Sequence, residues 1–180
     1  MKHIRRTLIG FTILCLLSAS HAAPASAQDA AVVLADADLA RVVPPGFYYE
    51  GLSAPTQVRN SAAARFGKKH LVIVGMVDTS GYSTDVQAKY QGFFITDAPI
   101  AFQDGSVLGI GAYGFGFVGE RLNILDVAGN QVMSVPATTD RTMQRPRPLM
   151  MSTTPAMKEF VRLYAGRNFV EFKQHIAADL

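Results

Sequence analysis

Cysteine is almost absent from this chain of 180 residues, and the one present, Cys15, lies in an apolar stretch at residues 7–17. That stretch follows Lys2, Arg5 and Arg6 and precedes Ala25-Ser26-Ala27. A positive start, a short apolar run and a small-residue site are the parts of a secretory signal peptide, here residues 1–27, with cleavage before Gln28. Ser20-His21-Ala22 is a second candidate site. The run is too short for a membrane anchor, which needs about 20 apolar residues. Bulky Leu14 before Cys15 argues against lipidation of that cysteine. Cleavage after Ala27 removes Cys15, His3 and His21. What remains has no disulfide, no thiol nucleophile and no cysteine-ligated metal. A chain of about 150 residues can bury a core without such staples.

Net charge is also scarce. The signal peptide carries three of the 17 basic residues and none of the 14 acidic ones, so residues 28–180 balance at 14 against 14. A neutral chain gives no electrostatic argument for nucleic acid as a partner. The remaining histidines, His70 and His175, have no carboxylate cluster beside them in sequence, so no metal site is expected. No further apolar run is long enough to span a bilayer. These features predict a periplasmic or secreted protein, with residues 28–180 as one domain and no membrane span after signal cleavage. Residues 28–43, rich in Ala and Asp, are expected to be a poorly ordered lead-in, with a short helix at 38–43 ended by Pro44-Pro45-Gly46.

The body of the chain reads as mainly β. Residues 47–51, FYYEG, form an expected short strand. Ala62, Ala63 and Ala64 are strong helix formers, and with Gly67 as a C-cap they predict a helix over 55–66. The apolar run KHLVIVGMVD (69–78) predicts a buried strand. A polar loop follows it. Asp104-Gly105, Gly119-Glu120 and Gly129-Asn130 then punctuate a series of apolar segments, which is the pattern of an antiparallel meander. Residues 136–155 read as a connector, held extended at Arg145-Pro146-Arg147-Pro148. Met157, Phe160, Val161 and Tyr164 recur at helical spacing after Pro155, with Gly166 as a breaker. Residues 169–176 suit a further short helix or a strand. The expected fold class is α+β, mainly β: a meander forming a sandwich or partial barrel, one helix before the main sheet and one or two C-terminal helices. Val72, Val74, Met76, Phe93, Ile95, Phe115, Phe117, Leu122 and Ile124 are the expected core.

Within the meander, residues 109–114 spell Gly-x-Gly-x-x-Gly. A dinucleotide turn needs a helix at the last glycine, because helix amides hold the pyrophosphate. Here the chain continues as FGFVGERLNILD, which alternates like a strand, so no nucleotide cofactor is expected, nor any other cofactor. As a strand, the segment puts Gly111, Tyr113, Phe115 and Phe117 on one face and Ala112, Gly114, Gly116 and Val118 on the other. The bare face admits something close to the backbone. That something is another part of the chain or a flat ligand against Gly114 and Gly116, with Tyr113 beside it. Tyr82, among several tyrosines near loops and strand starts, is a further ligand-binding candidate. So are Arg145 and Arg147, which the prolines hold extended towards an anion or a partner.

Two resemblances attach to particular segments. Asp78-Thr79-Ser80-Gly81 after an apolar strand resembles the Asp-Thr-Gly turn of the retroviral-type aspartic proteases, and AGRNFV (165–170) is similar to that family's apolar-Gly-Arg-Asn segment. The resemblance covers about twenty residues. It implies a dimer in which Asp78 acts as a general acid and base, although Ser80 is inserted in the turn that positions the carboxylate. The segment LGIGAYGFGF followed by LNILDV resembles hairpins of small secreted bacterial β-rich domains of unknown function, and implies no activity. Residues 51–55, GLSAP, lack the second glycine of a serine-hydrolase elbow.

No sequence-local catalytic set emerges. The expected function is a non-catalytic periplasmic or secreted binding module for a small molecule or an envelope protein. The alternative is an envelope hydrolase using Asp78, with Asp85 or Asp126 as its partner.

Overall fold

The computed structural model describes residues 30–154 and 156–177. The expected signal peptide at 1–27 lies outside the described residues. So does Pro155, read above as the start of a helix. No helix among the described residues is long and apolar enough to cross a membrane.

Two antiparallel sheets pack face to face. The larger runs in the order β1 (Ala31–Val33), β3 (Leu52–Phe66), β4 (His70–Val77), β5 (Gly92–Thr96), β8 (Gly111–Val118), β9 (Arg121–Leu125), β10 (Gln131–Pro136), with β2 (Gly46–Tyr49) paired to β3. The smaller runs β12 (Arg147–Thr154), β13 (Met157–Gly166), β14 (Asn168–Gln174), β6 (Ile100–Phe102), β7 (Val107–Leu108), with β11 (Thr138–Thr139) paired to β14. All the pairings are antiparallel and no barrel closes. The expected meander is present with one excursion. After β5 the chain crosses to the smaller sheet for the β6–β7 hairpin, where Gly105 turns at φ 85°, and returns as β8. The turns at Gly119-Glu120 and Gly129-Asn130 join β8 to β9 and β9 to β10.

Two apolar layers hold the molecule. Between the sheets lie Val72, Val74, Phe115, Leu122 and Ile124 against Leu163, Val170 and Phe172, all nearly inaccessible. The outer face of the larger sheet carries a second layer, covered by β2 and two short helices, α1 (Asp36–Val42) and α2 (Thr84–Lys89). Phe93, expected in the core, belongs to this outer layer, and Ile95 packs against it. Met76 and Phe117 are only partly buried and pack against the inner layer.

The helix expected over 55–66 is the strand β3. Ala62 and Ala64 face the inner layer and Ala63 the outer one, so packing on both faces overrides their helix propensity. The C-terminal helix expected after Pro155 is β13. Its apolar residues mimic helical spacing because Val161 and Leu163 face the inner layer while Tyr164 is buried on the opposite face. Gly166, with φ 62°, turns the β13–β14 hairpin, and the region 169–176 is largely strand. The expected connector at 136–155 contains β11 and β12. The expected unordered lead-in contains β1 and α1, because β1 finds a partner in β3.

Candidate functional site

Among the described residues, β1 and β3 of the larger sheet lie beside β12 of the smaller one without pairing to it. β1 ends at Val33, Leu34 donates its N–H to Ala63 O, and the chain departs into α1. Alongside, β3 slips against β4. Thr56 pairs with Val77 and Ser61 with Gly75, so β3 spends extra residues in a wide bulge. Side chains satisfy the freed backbone there. Gln57 Nε2 donates to Val77 O at 3.1 Å, Asn60 Nδ2 donates to Gln57 Oε1 at 2.8 Å, and Ser61 Oγ donates to Gln57 O at 3.2 Å. Beside β3, β12 is an edge strand of the smaller sheet and is bulged too, pairing Arg147 with Gly166 but Met150 with Tyr164. Pro148, which has no N–H to give, sits in that bulge.

Between these two bulges and α1 lies a pocket of about 460 Å³. Leu39, Ala62, Leu149 and Met151 line it and are buried. Asp36, Arg59 and Arg147 also line it and are exposed. Among the described residues, the side chains of these three make no hydrogen bond or ion pair. Other arginines do find partners: Arg41 Nη1 lies 3.8 Å from Asp38 Oδ1, and Arg162 Nε lies 2.5 Å from Glu171 Oε1. The pocket thus has buried apolar side chains and the Ser61 hydroxyl at its base and charges at its mouth, two cations against one carboxylate.

The structure places most sequence-derived candidates elsewhere. The bare face of β8 is covered by the chain itself. A Cβ on Gly114 would lie 2.8 Å from the ring of Tyr49, and one on Gly116 would lie 2.1 Å from the carbonyl oxygen of Lys89. Both glycines are buried, so the space anticipated for a flat ligand belongs to Tyr49, Tyr90 and the end of α2. Tyr113 lies on the opposite face, packed against the inner layer, with its hydroxyl 3.2 Å from Gly109 O. Tyr82 is buried in the outer layer, where its hydroxyl donates to Leu52 O at 2.9 Å and lies 3.1 Å from Tyr49 O. Arg145 is exposed and outside the pocket, while its neighbour Arg147 starts β12 and reaches the mouth.

Asp78 is exposed, and its carboxylate accepts the Ser80 N–H at 3.0 Å. That hydrogen bond holds its pKa below the usual carboxylate value. The inserted Ser80 therefore gives Asp78 a local turn to hold. Asp126 likewise accepts from Asn130 and Ala128 in the β9–β10 turn, which lowers its pKa, and Asp85 sits in the first turn of α2. His70 Nδ1 lies 3.4 Å from Asp97 Oδ1.

Of the residues that line this pocket, Arg147 is a sequence-derived candidate, and Asp36, Arg59 and the buried base are not. The one available signal was the polar run of Gln57, Asn60 and Ser61 in a segment that had to bury its neighbours. No family model, curated protein or solved structure matches the chain.

Proposed function

We propose that the chain is an exported, non-catalytic binding module whose small-molecule ligand sits between α1, β3 and β12. The observation that carries this reading is the pocket of about 460 Å³ with buried apolar side chains at its base and, at its mouth, charges that have no partner among the described residues. Its size falls within the range of about 300–1,000 Å³ usual for small-molecule sites, and such sites combine apolar lining with a few convergent polar groups. Bulges also concentrate beside binding sites, where they redirect side chains. The tie of Asp78 to its own turn favours binding over the hydrolytic alternative, since an acid–base carboxylate needs a pKa drawn towards the working pH. The export reading rests on the signal-peptide pattern at residues 1–27.

Native mass spectrometry of protein expressed with its own signal and recovered gently from the periplasm tests this. The expected spectrum shows the processed chain carrying excess mass that disappears on denaturation. Arg59→Glu together with Leu149→Asn abolishes that excess. An excess mass that survives both substitutions would place the ligand elsewhere, and a chain bare in every preparation would count against small-molecule binding.

A further inference from the structure

We infer that the ligand of this pocket is a monoanionic amphiphile: an apolar chain or ring system ending in one carboxylate-type acid group. The inference rests on the binding reading above and gives it a chemical class. The base accepts the apolar body: Leu39, Ala62, Leu149 and Met151 present hydrocarbon and thioether there, beside the uncharged Ser61 hydroxyl and with no competing charge. The mouth accepts the head group. Arg59 and Arg147 come from opposite sheets and line the same opening, with no partner among the described residues. A guanidinium presents its donors as a planar fork that matches a carboxylate.

Asp36 sets the charge number. With two arginines and one aspartate, the mouth carries one net positive charge, which one acid group neutralises. A second negative charge on the ligand would meet Asp36 unopposed, and a cationic head would meet both arginines. The arginines are exposed, so they add discrimination between head groups, whereas burial of the apolar body supplies the larger share of affinity.

Calorimetric titration of the intact processed chain with decanoate, decanol and decylamine separates these contributions. Decanoate is expected to bind at least about tenfold more tightly than decanol. Decylamine is expected to bind more weakly than decanol. Added salt should weaken decanoate and leave decanol unchanged, since only a charged head is screened. The double variant Arg59→Gln, Arg147→Gln should bring decanoate down to the level of decanol. Both side chains are exposed and without a partner among the described residues, so its melting temperature should stay that of the parent. Equal affinity for decanoate and decanol in the parent, or a salt-insensitive preference, overturns the anionic assignment while the pocket reading stands. Excess mass in the native spectrum with no binding of decanoate overturns it in the same way. Absence of both excess mass and binding by all three amphiphiles overturns the pocket reading as well.

Discussion

Gly116 has the carbonyl of Lys89 where a side chain would begin, and that contact explains the glycine better than any ligand does. The sequence showed that something must approach the β8 backbone, because alternate glycines bare one face of a strand. It could not show what approaches, since Lys89 and Tyr90 arrive from a helix whose docking depends on the whole outer layer. Gly116→Ala is expected to cost about 3 kcal/mol, because the clash is with backbone and cannot be relieved by a rotamer change. Gly119 has φ 59° but open space around it, so Gly119→Ala should cost only about 1 kcal/mol. Urea unfolding midpoints of the two variants check the order. A Gly116→Ala protein as stable as Gly119→Ala would mean that α2 does not sit tightly on β8.

At the scale of elements, strands were legible wherever turn chemistry or a long apolar run marked them, as in β4 and the β8–β9–β10 meander. β3 and β13 were misread as helices for one shared reason. Each packs apolar residues on both faces, so the two-residue period that identifies a half-buried strand is lost. The bulge in β3 was invisible for a different reason, because register is a relation between two strands. Gln57 holds that bulge by donating to Val77 O and accepting from Asn60 Nδ2 and, through its carbonyl, Ser61 Oγ. Gln57→Ala removes its two side-chain bonds and is expected to lower stability by about 1 kcal/mol. It should also speed hydrogen exchange at residues 57–61 relative to the rest of β3. Unchanged exchange there would show that the bulge does not depend on that side chain.

For the molecule as a whole, the outer layer has a pH signature. Tyr49 and Tyr90 stack at 3.8 Å between centroids, with Tyr82 edge-on to both. Burial raises the pKa of all three, and the carboxylate of Glu50 adds to the rise at Tyr49 and Tyr82. A raised native pKa means that the unfolded chain releases these protons first, from phenols with an ordinary value of about 10. Stability is therefore intact below about pH 10 and falls as pH rises beyond it. In an ultraviolet titration these three tyrosines should ionise together with the loss of circular dichroism. Their ionisation ahead of unfolding would mean that the outer layer opens on its own.

Composition and local pattern were enough to establish a mainly β, antiparallel chain. Those properties depend on which residues are present and on turns spanning two to four neighbours. The candidate site was of another kind. Asp36, Arg59 and Arg147 sit on three segments far apart in sequence, and they share one opening because β1 stops short and two strands bulge where the sheets part. A pocket made by unpaired strand edges depends on what fails to pair, and only the assembled sheets decide that.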